Sequence, residues 1–402
     1  MSPALRAGWR QTTVRRVLRP LDRPAQPGLG VITAYRDGIV TLRSNRREDG
    51  YTFSDTENGY QEIRPGDLVF HALDGFAGAV GVSDSHGNAS PVYHVCELVA
   101  GDDPSYLARL LRHFGTSGFL ATQAPNVRER SVDFRNWSTF ARIPLMLPSA
   151  AEQRAIADYL DRETARIDTL IEEQQRLIEM LRERRQAVAD AAFAALGEPS
   201  VQLRRYIKFL TSGSRGWGDY YADDGERFLR IGNLPRTNLS IRGEVQFVSL
   251  PADVTEGSRT ILEAGDLLFS ITAYLGSVAV VDNDWVGSYV SQHVALCRLD
   301  PDRLDSRFAG WFMLTTAGQD QLNQGAAGGA KMQLALDDIK SLRVPTASIA
   351  EQHRITAHLD EQTAKIDVLI AETQRLIELA LERRTALITA AVTGQIHIRE
   401  AA

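Results

Sequence analysis

The chain has 402 residues, 44% hydrophobic and 24% charged, with a net charge of −6. That mixture is long enough for two or three domains with real cores, and it excludes a disordered chain or a disulfide-built miniature. The acidity argues against a generic, salt-driven nucleic-acid binder, although the first 148 residues hold many arginines and no lysine, so a local basic patch remains open.

The first residues carry arginines with no apolar run behind them, so no signal peptide is expected. No uninterrupted apolar stretch approaches the roughly 18 residues of a spanning helix, so no membrane partner is expected. Residues 1–148 then give short strand-like runs, VRRVL, GIVTL, DLVFHAL, AVGV and VYHVCEL, broken by Gly, Pro, Asn and Asp. A helix is predicted after Pro104, with Leu107, Leu110 and Leu111 on one face. Cys96 and Cys297 each sit in an apolar run with no ligand cluster nearby. Both read as buried strand thiols in a reducing, cytoplasmic compartment.

Ser149 followed by Glu152 makes a capping box that starts a long helix, and Ser348 with Glu351 repeats it. Ile156, Leu160, Ile167, Leu170, Leu177, Leu181 and Val188 fall on the a and d positions of a heptad. The second copy offers Ile355, Leu359, Ile366, Leu369, Leu376 and Leu387. Gln174 and Thr373 are polar residues in that seam, a device that fixes register. Ile171, Ile178, Ile370 and Ile377 widen the apolar stripe, so these four are the candidate partner-binding residues. About 43 residues make a rod of roughly 65 Å, too long to stand without a partner helix.

The two helices are one sequence written twice. Residues 151–193 and 350–392 match at roughly half their positions, at a constant offset of 199. Pro65-Gly66-Asp67-Leu68-Val69-Phe70 and Ala264-Gly265-Asp266-Leu267-Leu268-Phe269 keep the same offset. The chain is therefore a tandem duplication: domain 1–148, helix 149–196, domain 197–346, and helix with tail 347–402. The fold class is α+β, with two mixed α/β globular domains separated by two long helices. An antiparallel pairing of those helices, with a pseudo-two-fold axis, avoids crowding both domains at one end.

Three motifs are shared or specific enough to carry a resemblance. They are P-S-x-x-E-Q-x-x-I-x-x-x-L-D at 148–161, T-x-[RK]-I-D-x-L-I in both helices, and the QRLIE…ERR ending that continues to AAVTG-x-I at 396. With Gly213-Ser214-Arg215-Gly216-Trp217, Arg230-Ile231-Gly232-Asn233-Leu234 and Tyr35-Arg36-Asp37-Gly38, the chain resembles a specificity subunit of a type I restriction-modification system. The second helix begins VPTAS, and the first lacks the VTG ending. The resemblance implies two target-recognition domains reading halves of a bipartite double-stranded DNA target. It implies helices that set the spacing and dock two methyltransferase (modification) subunits, joined by restriction/translocase subunits. S-adenosylmethionine, ATP and Mg would belong to those partners, with no cofactor in this chain.

No catalytic or metal set of its own is visible. Gly325–Lys331 is glycine-rich but lacks P-loop spacing, and His71, His86, His94 and His113 have no ligand partners at metal spacing. Base readout uses Arg, Asn, Gln and Lys. The candidate DNA contacts in the first domain are thus Arg43, Asn45, Arg46, Arg47, Arg128, Arg130 and Arg135. In the second they are Arg215, Trp217, Tyr220, Tyr221, Arg230, Asn233, Arg236 and Lys331. The plainer reading makes the arginines solvated or paired with neighbouring acids, and Trp217 a core residue. Asp67 and Asp266 read as structural turn residues. The competing function is a coiled-coil scaffold with two protein-binding domains, since Arg and aromatic residues suit protein interfaces as well.

Overall fold

A computed structural model describes residues 8–46, 59–99, 101–124, 127–128, 131–251, 257–325 and 333–396. The chain forms two compact units, one of residues 1–173 with 377–402 and one of residues 174–376. Each unit therefore holds one globular domain and half of each long helix.

In the first unit, strands β1 (Leu18–Pro20), β2 (Leu68–His71), β3 (Val80–Val82) and β4 (Tyr93–Leu98) form an antiparallel sheet in the order β1-β4-β2-β3. Helix α1 (Pro104–Thr116) follows β4. Asp103 caps it by accepting from the Tyr106 N–H at 2.8 Å, and Pro104 occupies the first turn, where its missing N–H costs nothing. Phe70, Tyr106, Leu107 and Leu111 fill the core beneath the sheet. Two further strand pairs, Ile32–Ala34 with Val40–Leu42 and Gln61–Ile63 with Gly87–Ala89, build a second layer.

The second unit repeats the sheet. Strands β5 (Ile207–Ser212), β6 (Leu267–Ser270), β7 (Val278–Val280) and β8 (Val294–Leu299) run in the order β5-β8-β6-β7. The register repeats too: Cys96 lies opposite Leu68, and Cys297 opposite Leu267. Both thiols are fully buried, and burial pushes that of Cys297 up to about 12. The Gly-Asp turns before β2 and β6 are built alike. Gly66 and Gly265 adopt φ of +92° and +85°, the left-handed region that glycine enters without strain. Asp67 receives both guanidinium arms of Arg23 at 2.8 and 2.7 Å, and Asp266 receives Arg298 at 2.7 and 2.9 Å. Both aspartates are structural, as their turn context predicts. Here the second layer is one four-stranded sheet of Tyr221–Ala222, Glu226–Leu229, Gln246–Val248 and Tyr289–Val290, in which Glu226–Leu229 and Tyr289–Val290 run parallel. Helix α3 (Ser306–Met313) takes the place of α1.

The long helices are α2 (Ala150–Ala194) and α4 (Ile349–Val392). Ser149 Oγ accepts the Glu152 N–H at 3.2 Å and Ser348 Oγ that of Glu351 at 3.3 Å, so the serine half of each expected capping box is formed. The glutamine after each glutamate is buried. Gln153 accepts the Asp103 N–H at 2.9 Å and donates to Asp102 and the Pro148 carbonyl, pinning α2 to the start of α1. Gln352 accepts the Asp305 N–H at 2.8 Å and donates to the Ala347 carbonyl, pinning α4 to α3.

Within each unit the two helix halves run antiparallel. In the first, Ile156 and Leu160 of α2 share a core with Ala391 and Val392 of α4, and Asp168 pairs with Arg384 at 2.9 Å. In the second, Ala189 and Phe193 of α2 share a core with Ile355 and Leu359, and Arg185 pairs with Asp367 at 2.7 Å. The offset of 199 relates Asp168 to Asp367 and Arg185 to Arg384, so both bridges are the same contact made twice.

The buried row of α2 runs Ile156, Leu160, Thr164, Ile167, Ile178, Leu181, Arg185, Ala189, with part-buried Ile171 and Gln174 between. This corrects the helical phase. Ile178 is 7% exposed, Ile171, Ile370 and Ile377 are half-buried in the same row, and Leu170, Leu177, Leu369 and Leu376 point outward. The cause is the polar seam residues. Counting only apolar positions skips Thr164 and Arg185 and slips the phase by one residue. Thr164 returns its hydroxyl to the Leu160 carbonyl and Thr363 to that of Leu359, both at 2.7 Å, so neither leaves an unmet donor.

Candidate nucleic-acid interface

Arg43, Asn45 and Arg46 come together on one short 3-10 turn beside the second layer of the first domain. Asn45 donates to Thr41 Oγ1 at 3.0 Å, and Arg43 Nε lies 3.4 Å from Thr33 Oγ1. Arg46 pairs with Asp37 and lies over the Tyr35 ring, 4.5 Å from its centroid. Arg47, Arg130 and Lys331 lie outside the described residues, as does most of the glycine-rich run at 325–331. Arg128 ends the two-residue strand Val127–Arg128, paired with Ser131–Val132. Arg135 is exposed and grips Asp133 through Nε and Nη2, and that hydrogen bond raises its pKa.

In the second domain the run from Arg215 to Tyr221 forms an anchored loop. Trp217 is 3% exposed, with its ring 4.9 Å from Phe228 and 5.0 Å from Tyr289. Gly257, at φ +88°, leaves room beneath it, because a Cβ there would meet the indole at 2.6 Å. Trp217 is therefore the loop's root and not a base contact, since burial against Phe228 and Val248 is worth more to it than exposure. Around that root, Arg215 and Tyr221 are exposed and Tyr220 is half-buried. Asn233 is also withdrawn from readout. Its Oδ1 accepts the Arg230 N–H at 2.9 Å, and its Nδ2 donates to the carbonyls of Arg242 and Glu244. Arg230 lies 3.8 Å from Glu244, and Arg236 is exposed. Of the candidates in this domain, Arg215, Arg236 and Tyr221 are thus the exposed donors.

The histidines have structural settings. His71 Nδ1 accepts the N–H groups of Leu73 and Asp74, and His94 contacts the Phe134 carbonyl at 2.7 Å inside an aromatic cluster. Burial lowers the pKa of both. Among the described residues no group of His, Cys, Asp and Glu could hold a metal ion, and no helix is long and apolar enough to cross a membrane.

Sequence reasoning passed over Gln153, Gln352, Asp161, Asp360, Arg185 and Arg384. The signal was present in the doubled motifs: every one of these polar residues recurs at the offset of 199 on the face that packs.

Comparison with known proteins agrees with this geometry. Residues 246–379 match the family described as type I restriction modification DNA specificity domain. The EcoBI specificity subunit of Escherichia coli, a type I restriction enzyme component, is 22% identical over 396 residues, covering 90% of this chain and 81% of that one. A chain from a structure of the assembly and conformational transition of a type I R-M system superposes with a TM-score of 0.71 at 16% identity, over 98% of this chain and all of that one. The HsdS subunit of Thermoanaerobacter tengcongensis superposes at 0.55 with 19% identity, covering 98% of this chain and 99% of the other. Two mixed α/β domains joined to a doubled long helix are the fold that these specificity subunits share. The chain is similar to specificity subunits of type I restriction-modification systems, in sequence over residues 246–379 and in fold over nearly its whole length.

Proposed function

We propose that each globular domain reads one half of a bipartite DNA target, with the helices setting the gap between halves. One observation carries this reading: the two units share a sheet order, a helix pairing and a capping scheme, yet differ in the second layer. The first has two strand pairs there and the second a four-stranded sheet. A frame kept constant under divergent surfaces suits two readers of different sequence. Exposed Arg215, Arg236 and Tyr221 serve readout in the second domain, and Arg43 with Asn45 in the first.

The helices also dock the modification subunits. The outward apolar residues form the docking face in place of the isoleucines: Leu170, Leu379 and Leu381 in the first unit, and Leu177, Met180, Val368, Leu369 and Leu376 in the second. Unsupported apolar exposure of that extent marks an interaction surface. Two modification subunits, with restriction/translocase subunits, then supply S-adenosylmethionine, ATP and Mg chemistry in a cytoplasmic complex.

Methylation mapping of DNA from cells carrying this chain and its modification partner tests the reading. A two-part motif with a fixed gap is expected. Exchanging residues 201–346 for an unrelated reader changes one half only. Modification independent of this chain would leave it a scaffold.

A further inference from the structure

The first unit contains a cavity of about 410 Å³ between the turn at Gly38, helix α1 and the last turns of α4. Arg109, Arg112 and His113 line it from α1, and Arg384 and Thr389 from α4. Its positive charge is not fully matched. Arg109 is paired with Asp161 and Arg384 with Asp168. Asp37, the carboxylate at the rim, is engaged by Arg46. Arg112 makes no ion pair among the described residues. The Nη1 of Arg109 is buried and lacks a hydrogen-bond partner. A guanidinium carries five donors, so unused ones directed at a common space cost stability unless an anion meets them.

Arg112 is also held in place. A Cβ on Gly38 would lie 3.1 Å from its Cδ, and one on Gly78 3.3 Å from its Nε; both glycines sit at positive φ, +93° and +95°. The backbone thus packs on the guanidinium stem and fixes it toward the cavity. Burial first, and then the charge of Arg384, lower its pKa, with Asp37 opposing.

The second unit shows that the fold does not require this. Counting from the capping residues Asp103 and Asp305, Arg109 corresponds to Trp311 and Arg112 to Leu314. Trp311 Nε1 donates to Asp360 at 2.9 Å, as Arg109 does to Asp161, its counterpart at the offset of 199. Trp311 and Leu314 are 3% and 4% exposed, within a packed core. At these two positions the same frame therefore carries apolar side chains in one repeat and arginines in the other, while the arginine of the long helix is present in both as Arg185 and Arg384.

We propose that this cavity is a binding site for a small phosphate-bearing ligand, with Arg112 as its main contact and Arg109 and Arg384 flanking it. Guanidinium forks match phosphate oxygens in shape and charge, and the hydroxyl of Thr389 and ring of His113 add polar contacts on the α4 side. This goes beyond DNA selection and does not depend on it.

The test is titration calorimetry of the full chain with inorganic phosphate at constant ionic strength. A saturable isotherm is expected, weakened at least tenfold by Arg112→Leu, the residue of the second repeat, and within tenfold of the parent for Arg112→Lys. Without phosphate, Arg112→Leu should melt no lower than the parent. If it fails to fold, Arg112→Gln gives the same comparison. Repeating the titration on chain saturated with duplex DNA separates the sources. Retained phosphate binding supports a small-ligand site, and loss of it assigns the cavity to a DNA phosphate and overturns the proposal. No saturable heat, or equal binding by parent and Arg112→Leu, overturns it as well.

Discussion

Replacing Asp367 with alanine leaves Arg185 as a buried charge without a partner. Its side chain is 9% exposed and that of Asp367 33%, and Arg185 Nε already lacks an acceptor. Removing one member of such a pair costs about 2–4 kcal/mol, most of it the desolvation of the orphaned ion. At roughly 2–4 °C per kcal/mol for a unit of this size, the melting midpoint of the unit 174–376 should fall by about 4–16 °C. The sister substitution, Asp168→Ala, removes the same motif residue from the same contact. There Arg384 is 31% exposed and Asp168 47%, so solvent screens the loss to about 1 kcal/mol or less. Calorimetry of the two single variants and the parent is the assay. The double variant Asp367→Ala with Arg185→Met should recover much of the loss, because no charge remains buried. Equal shifts for Asp168→Ala and Asp367→Ala would refute the argument from burial.

Gln153→Ala and Gln352→Ala should each cost about 1–3 kcal/mol, read as a lower denaturation midpoint, because each leaves a half-buried capping-residue N–H without its acceptor. Gln→Glu at either position should be no better at pH 7. Cys96 and Cys297 should resist a thiol reagent in the native chain and react together on unfolding. Their raised pKa values mean that the unfolded thiols ionise first, so folded stability should decline as pH climbs past about 9. For the spacing function, four residues inserted after Glu173 alone should cost stability, since the interval from Asp168 to Arg185 equals that from Asp367 to Arg384. Matching insertions in α2 and α4 should restore stability and lengthen the target gap by about one or two base pairs, because four residues add roughly 6 Å and a base pair spans roughly 3.4 Å. Unchanged spacing in methylation maps of the doubly extended chain would show that the helices are not the ruler.

The duplication, the capped helix starts and the Gly-Asp turns were legible because each depends on local chemistry repeated at a fixed offset. The helical seam was not, because its register is set by polar residues. Thr164 satisfies itself against the backbone and Arg185 against a distant carboxylate, and neither fact is visible in an apolar periodicity. The candidate DNA-contact residues were legible only as types. Trp217 and Asn233 have the chemistry of base contacts, but the first roots a loop and the second ties three backbone groups together. The arginine cavity was hidden because Arg109, Arg112 and Arg384 meet only after α1 and α4 pack.

The hydroxyl of Tyr106 donates to the carbonyl of Val392, and Ala391 and Val392 are wholly buried in the core that Phe70 and Leu111 share. A ribosome makes these pieces far apart in time. When the first globular domain emerges, the residues that close its core are still to be translated, behind the entire second domain. Until then Tyr106 and the upper end of α2 face water. The order of synthesis and the order of folding are therefore decoupled, and neither unit can become permanent before the last helix arrives. A chain cut short within α4 loses the closing segment of the domain made first, so quality control falls on the whole length of the polypeptide.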